Sequence, residues 1–478
     1  MKRKTGRKLS TLLLVVTIAL GGHLLVRSNA SKSEAAQSHT PKYIFIFLAD
    51  GAGIPHLEIT RLYNRTIHNE GMVISDKIMK EGTLGLITTH SAESLTADSA
   101  AAATSLASGC KAKLGMLGMC ADGTIPKTVM ESAQEKGRRI GLVTNSTIYD
   151  ASPAAFTAHV ADRRDYGAIV DQYLKMAPDL LLGGGRNQFL PKAQPGSQRK
   201  DDIDLINAFV HKGYQYVANK DELAQAKKGK VLGLFSLKDM SFELDRDKNT
   251  EPSIYDMTQA AIRLLTAGNS RGFVAFIESE NIDSAGHMTD IASLIHAFRE
   301  FDRAVGLAYE FYRKHPRETL ILVTSDHETG GLGFTYALKD LSSTRRDNQV
   351  SATMEDIKKI QAITISLKKA SEILGPNPTT AAIDNLMKEH FEGFTLAPEF
   401  KEAILKRQPI SRSIFLDPTA NALGMMVANN TQAYWLTTSH TNHPVFVAAL
   451  GPGAERFRGY QDNTDFGKHL IALLREKR

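Results

Sequence analysis

Short runs of consecutive apolar residues alternate along this chain with longer stretches in which apolar residues recur at helical spacing. Most of the short runs are apolar throughout, which is typical of strands buried on both faces of a parallel sheet. The pattern therefore predicts an α/β fold with a mostly parallel central sheet flanked by helices on both faces. The candidate strands are Tyr43–Ala49, Leu84–Thr88, Ile140–Asn145, Leu180–Leu182, Val231–Phe235, Phe273–Ile277, Leu320–Thr324 and Val445–Leu450, and examples of the helical stretches are Tyr255–Thr266 and Ile291–Arg313.

Residues 339–412 differ in amino-acid composition from the rest of the chain. They are rich in Lys, Asp, Ser and Thr, and Gly375-Pro376-Asn377-Pro378 marks a loop within them. We interpret this segment as an insertion on the sheet, a cap or a subunit contact, rather than as an independent domain. Residues 42–478 are accordingly predicted to form one domain that carries this insert.

The first 30 residues have the features of a secretory signal peptide. Five basic residues among the first eight precede the apolar run Leu12–Leu20, and Ser28-Asn29-Ala30 offers a small-x-small cleavage site. A signal anchor is the alternative, although the run is marginal against the roughly 20 apolar residues of a spanning helix. We expect cleavage after Ala30, export to the periplasm or the exterior, and a flexible mature N-terminus over residues 31–41. Contact with a membrane is expected only if this segment stays uncleaved.

The charge of the chain changes once the N-terminal segment is considered separately. The sequence has 58 Lys and Arg against 52 Asp and Glu, a formal net charge of +6. Residues 1–30 contain six of the basic residues and none of the acidic ones, so the mature chain would be close to neutral. A nucleic-acid partner is not expected, because the sequence also lacks a basic stripe with interleaved aromatic residues.

Acidic residues and histidines follow three of the predicted strands. Asp50 comes directly after Tyr43–Ala49, Glu278 follows Phe273–Ile277, and Asp326-His327 follows Leu320–Thr324. A lone Asp after a strand is usually a turn or a helix cap, but sites in open α/β sheets form beyond the carboxyl ends of the strands. Carboxylates combined with imidazoles suit zinc or a similar divalent ion. Asp283 and His287, which follow Glu278, add to this set.

A candidate nucleophile lies at Ser99. Four alanines follow it, Ala100 to Ala103, and these strong helix formers place Ser99 at or near a helix N-terminus, where an anion is favoured. The simpler interpretation is that Ser99 only caps the helix. A metal ion nearby would favour the interpretation of Ser99 as a nucleophile, because an ordinary serine hydroxyl needs an activator to attack at neutral pH.

Taken as a set, these motifs resemble those of the alkaline phosphatase family, in family order and from Tyr43 to the C-terminus. The resemblance implies an alkaline-phosphatase-like catalytic domain that hydrolyses small-molecule phosphate monoesters by way of a phosphoserine. The matching motifs are Asp50-Gly51, Thr96-Ala97-Asp98-Ser99-Ala100, the run from Asp150 to Arg163, the run from Glu278 to His287, Ser325-Asp326-His327 and Ser439-His440-Thr441.

The resemblance also implies two zinc ions, one magnesium ion and a role for each matching residue. Ser99 would be the nucleophile, and Arg163 would bind the phosphate through two parallel N–H···O bonds. The first zinc would be bound by Asp283, His287 and His440, the second zinc by Asp50, Asp326 and His327, and the magnesium by Asp50, Ser152 and Glu278.

Two assignments depend on the family's spacing, because each residue has a similar neighbour. His440 is preferred to His443 by its distance from the Val445–Leu450 strand, and Arg163 is preferred to Arg164 by the register from Asp150. The alternative for either arginine is an ordinary surface charge.

Two positions depart from relatives that carry other residues there. Asp150 occupies a position that is sometimes histidine, which favours a hydrated magnesium over a third zinc. Ser284 stands where relatives carry Lys or His near the phosphate, so phosphate is expected to be held less tightly.

Cys110 and Cys120 are the two cysteines of the chain. In an exported protein they are expected to form a disulfide across a short loop, with a pair of free thiols as the alternative. They do not resemble a metal site, because no Cys-x-x-Cys spacing is present.

Other functions fit the sequence less well. A phosphodiesterase of the same superfamily would need room for a second ester group, and a sulfatase would need a modification motif that the Ser99 region lacks. A non-catalytic phosphate- or metal-binding protein would be expected to have lost a ligand or the nucleophile. Family members are commonly homodimers, which is the expectation for this chain.

Overall fold

The structure, a computed structural model, describes residues 40–338 and 344–476. Its strands carry the labels β1 to β16 in chain order. They are Tyr43–Ala49, Thr83–Ile87, Arg139–Thr147, Leu180–Gly184, Tyr214–Val217, Lys230–Leu234, Phe273–Ser279, Thr319–Thr324, Glu328–Thr329, Gly333–Phe334, Tyr336–Leu338, Gln349–Ser351, Ala433–Tyr434, His440–Thr441, Val445–Leu450 and Gly459–Gln461.

The α-helices carry the labels α1 to α17 in the same way. They are Ile54–Tyr63, Met79–Glu81, Ser99–Ser108, Val129–Glu135, Ala151–Ala155, Tyr166–Met176, Leu205–His211, Lys220–Gln225, Ile254–Thr266, Asn281–His287, Ile291–Lys314, Met354–Ile360, Leu367–Leu374, Thr380–His390, Pro398–Lys406, Pro418–Thr431 and Asn463–Arg475. Short π- or 3₁₀-helical turns lie at Asn64–His68, Ile74–Ile78, Arg186–Gln188, Arg346–Asn348 and Ala454–Phe457.

Ten of the described strands form one sheet, in the order β16-β2-β15-β8-β1-β7-β3-β4-β6-β5. All neighbours pair in parallel except β15, which runs antiparallel to both β8 and β2. This confirms the predicted mostly parallel α/β sheet. All eight candidate strands lie in it, and the bounds of β1 and β15 agree with the prediction to the residue.

The sheet is buried on both faces, as its apolar strands require. In β1, Phe45 and Phe47 belong to one hydrophobic core, whereas Ile44 and Ile46 belong to a second core. Successive side chains of a strand point to opposite faces, so these two cores are the layers that the helices cover. The arrangement leaves the carboxyl ends of the central strands as the place where polar side chains collect.

The predicted insert begins outside the described residues, since residues 339–343 are not among them. From residue 344 the segment contains β12, which pairs with β11, and the helices α12 to α15. Helices α12, α13 and α15 pack against α16, which follows the segment. A role as a cap or as a subunit contact stays a prediction.

The predicted signal peptide, residues 1–30, and residues 31–39 of the expected flexible segment also lie outside the described residues. Thr40 and Pro41, the last two residues of that segment, are buried. No helix within residues 40–338 and 344–476 combines the length and the apolar character needed to cross a membrane.

Candidate active site

The predicted site residues come together beyond the carboxyl ends of the three central strands β8, β1 and β7. Asp50 follows β1, Glu278 lies near the end of β7 beside Leu48 of β1, and Asp326 and His327 follow β8. Helix α10 adds two more side chains, and β14 adds one by pairing with β9. These three residues are Asp283, His287 and His440.

Gly51 allows the turn after β1 to approach helix α10. Its φ of +70° is in the left-handed region, and a Cβ there would lie 2.5 Å from Oδ1 of Asp283. Any other residue at this position would therefore push the α10 ligand away from the β1 turn.

Asp283, His287 and His440 form the first cluster. The Nε2 atom of His287 lies 3.2 Å from Oδ2 of Asp283 and 3.1 Å from Nε2 of His440. Asp283 Oδ1 is 3.8 Å from His440 Nε2 and accepts a hydrogen bond from the Thr329 hydroxyl. Each of the three side chains thus has an atom that can bind a metal within 3.8 Å of such an atom on each of the others. His327 lies close to this cluster as well, because ligand atoms of Asp283, His327 and His440 lie within 4.8 Å of one another.

Backbone carbonyls fix the tautomers of the two histidines. The Nδ1 atom of His287 lies 2.7 Å from the carbonyl oxygen of Thr438, and that of His440 lies 2.7 Å from the carbonyl oxygen of Ala97. A carbonyl only accepts, so Nδ1 of each ring carries a proton, and when both imidazoles are neutral the lone pairs of the two Nε2 atoms face each other. A cation between them removes this repulsion, as in metal-ligating histidines whose other nitrogen donates to a carbonyl.

Asp50, Asp326 and His327 form a second cluster, in which ligand atoms from all three residues lie within 4.8 Å of one another. Burial and the neighbouring carboxylates raise the pKa of Asp50 well above its ordinary value and that of Asp326 to about 7. Asp50 Oδ1 and Asp326 Oδ2 are buried without a hydrogen-bond partner in the described part of the chain. Buried like charges with unpaired oxygens fit a bound divalent cation.

A third group adjoins the second cluster through Asp50. The Ser152 hydroxyl donates to Asp50 Oδ2 at 3.1 Å, and the Glu278 carboxylate is fully buried. Burial and the nearby Asp150 raise the pKa of Glu278 to about 8. An all-oxygen set of this kind suits magnesium better than zinc.

Ser99 is the first residue of helix α3. Asp98 is the N-cap, because its side chain accepts a hydrogen bond from the Ala101 N–H. Interpreting Ser99 as only a cap was therefore wrong, and its hydroxyl is free for another role. Ser99 Oγ lies 3.2 Å from Nε2 of His327, at a helix N-terminus that favours an anion.

Arg163 is held in place by two carboxylates. Its Nη2 donates to Asp150 Oδ1 at 2.9 Å, and its Nη1 donates to Asp98 Oδ2 at 3.3 Å. Arg164, in contrast, has 78% of its side chain exposed and pairs with Asp162. The structure also distinguishes His440 from His443. His440 belongs to the first cluster, whereas His443 lies beside Glu328.

A cavity of about 420 Å³ opens over these residues. Its lining combines Ser99, Arg163 and the first cluster, and its volume is enough for a phosphate group with part of an organic group attached. Its lining includes Ser99, Arg163, Asp283, His287, His440, Glu280, Ser284, Leu114, Phe415 and Leu416.

Sequence reasoning missed three residues of this neighbourhood. Glu280 accepts a hydrogen bond from the Ser284 hydroxyl at 2.6 Å, and burial and Asp150 raise its pKa well above the ordinary value. Phe415 stacks on the His287 ring with centroids 5.1 Å apart, and Thr329 donates to Asp283. Glu280 could have been predicted, because it lies two residues after Glu278 at the end of a predicted strand. Nothing in the sequence pattern indicated Phe415.

Cys110 and Cys120 form a disulfide. It lies just after helix α3, in the loop that leads from the Ser99 helix toward α4.

Comparison with known proteins places this chain among the alkaline phosphatases. A family model described as alkaline phosphatase matches residues 41–475. Alkaline phosphatase 3 of Bacillus subtilis (strain 168) is 29% identical, with 99% of this chain and 98% of that protein covered. The repressible alkaline phosphatase of Saccharomyces cerevisiae (strain ATCC 204508 / S288c) is 30% identical, with 99% and 89% covered.

Solved structures show the same fold. The alkaline phosphatase of Thermus thermophilus has a TM-score of 0.80 at 26% identity, covering 93% of this chain and 95% of that one. The cold-active alkaline phosphatase of Shewanella sp. has a TM-score of 0.74 at 28% identity, covering 91% and 100%.

Proposed function

This chain belongs to the alkaline phosphatase family of phosphomonoester hydrolases, and we propose that it acts through a phosphoserine formed on Ser99. The observation that carries this proposal is the position of the Ser99 hydroxyl at the start of α3. It lies 3.2 Å from His327 of the second cluster and lines the same cavity as Arg163.

We propose two zinc ions and one magnesium ion as cofactors. Divalent ions there would lower the pKa of the Ser99 hydroxyl and neutralise charge on the attacking and leaving oxygens. The mixed carboxylate and imidazole clusters support zinc, and the oxygen donors of the third group support magnesium. The residues that would hold the ions are Asp283, His287 and His440 for one zinc, Asp50, Asp326 and His327 for the other, and Asp50, Ser152 and Glu278 for the magnesium.

Ser99 and Arg163 then perform the transfer. The guanidinium of Arg163, already fixed by Asp98 and Asp150, binds two phosphate oxygens through its N–H groups. Ser99 Oγ loses its proton to solvent and bonds to phosphorus as the ester O–P bond breaks, and the leaving oxygen takes up a proton from solvent and departs as the alcohol. Water then cleaves the Ser99–phosphate bond, which releases phosphate and restores the serine.

We further propose that the enzyme is exported and forms a homodimer. The predicted signal peptide over residues 1–30 and the disulfide between Cys110 and Cys120 support an oxidising compartment. The resemblance to the family supports the dimer. The mass of the secreted protein tests cleavage after Ala30, and light scattering of that preparation tests the dimer.

The hydrolysis of p-nitrophenyl phosphate at alkaline pH tests the proposed activity. We expect activity to be lost with EDTA, to return with zinc and magnesium, and to fall to the background in Ser99→Ala. The bis ester, assayed in parallel, should be a poor substrate. A folded, metal-loaded protein that cleaves only the bis ester would instead be a phosphodiesterase, and one that cleaves neither ester would be a binding protein.

A further inference from the structure

Glu328 is a fully buried carboxylate that is neither a proposed metal ligand nor a proposed phosphate-binding residue. It follows His327 directly, and none of its side chain is exposed. Its ion-pair partners within the described residues are two histidines, His56 at 3.5 Å and His443 at 3.4 Å. A buried carboxylate without a lysine or arginine partner is costly, so the position is informative.

The two oxygens of this carboxylate bind two different segments. Oε1 accepts a hydrogen bond from the Gly331 N–H at 2.8 Å, and Oε2 accepts one from the Thr441 hydroxyl. Thr441 adjoins His440 in β14, and β14 pairs with β9, which contains Glu328 itself. The carboxylate therefore ties the segment that carries His440 to the segment that carries His327.

The stem of the same side chain contacts a third segment. A Cβ on Gly53 would overlap Cγ of Glu328, so Gly53 leaves the space that this side chain fills. Gly53 is the N-cap of α1, three residues after Asp50. The Gly53 N–H donates to Nδ1 of His56, which leaves the proton of that imidazole on Nε2, facing the Glu328 carboxylate.

We propose that Glu328 is a positioning residue that holds the Asp50, His327 and His440 segments at the spacing needed for the two zinc ions. This inference rests on the proposed zinc sites. Without the side chain, the Gly331 N–H and the Thr441 hydroxyl lose their acceptor and the space against Gly53 empties. The His440 segment is then free to move away from its partner ligands.

Zinc release from the loaded enzyme to a coloured chelator measures this effect directly. Removing a group that orients metal ligands usually weakens metal affinity about 10- to 100-fold. We therefore expect Glu328→Ala to release zinc about 10-fold faster or more. Thr441→Val removes only one of the hydrogen bonds, so its release rate should lie between those of the wild type and Glu328→Ala. It also provides the test if Glu328→Ala does not fold.

The contact with Gly53 gives an independent test. Gly53→Ala forces the Glu328 side chain aside without removing it, and it should also speed zinc release. In the double variant with Glu328→Ala the overlap no longer exists, so Gly53→Ala should add nothing further. This non-additivity is specific to a direct contact between the two positions.

Asp302→Ala is the matched control. Asp302 is also buried and joins distant segments, since it accepts from the Val73 and Ile74 N–H groups at 2.9 and 2.8 Å, but it touches none of the proposed ligands. It should lower the Tm of the metal-free protein and leave zinc release unchanged. Equal zinc release from Glu328→Ala and the wild type, or equal acceleration by Asp302→Ala, would overturn the positioning role.

The wild type separates this failure from failure of the proposed function. A wild-type enzyme that holds zinc and hydrolyses the monoester, with a Glu328→Ala variant that releases zinc no faster, contradicts only the role of Glu328. A wild type that binds no zinc overturns the zinc sites and with them the role of Glu328, and one that also fails to hydrolyse the monoester overturns the proposed function.

Discussion

At the scale of single residues, the site depends on hydrogen bonds that fix one atom of each side chain. Carbonyl oxygens of Thr438 and Ala97 hold the protons of His287 and His440 on Nδ1, and Asp98 and Asp150 hold the guanidinium of Arg163. Such partners determine which atoms face the cavity before any ligand arrives. Groups that are already oriented in this way stabilise the transition state without a cost of reorganisation during the reaction.

Ser284→Lys should strengthen inhibition by phosphate. Ser284 lines the cavity and donates to Glu280, so an ammonium group there would lie near both that carboxylate and bound phosphate. A charge-assisted hydrogen bond should lower the inhibition constant for phosphate about tenfold. Ser284→Met has a side chain of similar bulk without charge and should leave the constant near that of the wild type. If the constant were the same in Ser284→Lys and in the wild type, the serine would not explain weak phosphate binding.

At the scale of elements, the sequence predicts best what is buried and continuous. Strands β1 and β15 were predicted to the residue, because every side chain in them is buried and apolar. Strands β5 and β16 lie at the two edges of the sheet, are only four and three residues long and keep exposed positions, so neither has a distinctive pattern.

The residues of the site also differ in how well the sequence predicts them. Asp50 and His327 could be predicted because they follow buried strands, and the family motifs supplied His440 and Arg163. Glu328 could not, because the groups that it binds are far away in sequence. Contacts between segments depend on how the loops fold over the sheet edge, which local patterns do not encode.

A pH-dependent ion pair joins helix α4 to the loop that follows α5. Burial of His159 lowers its pKa, but the Glu131 carboxylate at 3.2 Å and the Gly118 carbonyl raise it by more. The pKa of this histidine therefore lies above its ordinary value. The stability from the pair is therefore complete below the ordinary histidine pKa and is lost as the pH rises through the raised value.

Glu131→Gln should accordingly lower Tm more at about pH 6 than at about pH 9. The difference between the two losses should correspond to about 1 kcal/mol in the free energy of unfolding. Thermal unfolding of the variant and the wild type at both pH values measures the difference, and His159→Gln should remove it. An equal loss of Tm at the two pH values would show that the charge of His159 contributes nothing.

At the scale of the whole molecule, the described residues from Thr40 to Glu476 form one compact unit with a core on each face of the sheet. The site lies beyond the carboxyl ends of the central strands, so its residues come from segments spread over most of the chain. Global stability and metal binding are therefore linked, because ions that bind only the folded state stabilise it.

The disulfide between Cys110 and Cys120 should contribute to that global stability. It closes a loop with a sequence separation of 10, for which the loss of unfolded-state entropy is about 2 to 3 kcal/mol. The double variant Cys110→Ser/Cys120→Ser should unfold at a lower denaturant concentration than the oxidised wild type. Reducing agent should lower the stability of the wild type and leave that of the variant unchanged. A wild type that is insensitive to reduction would contradict a stabilising role.

Ser99 is proposed to carry the phosphoryl group during turnover. The most direct measurement is an acid quench of the metal-loaded enzyme during hydrolysis of an aryl phosphate, followed by peptide mass spectrometry. We predict one phosphoryl group on the peptide that contains Ser99, and none on any peptide of the inactive Ser99→Ala. An active enzyme with phosphate on another residue, or a Ser99→Ala variant that keeps wild-type turnover, would contradict the account.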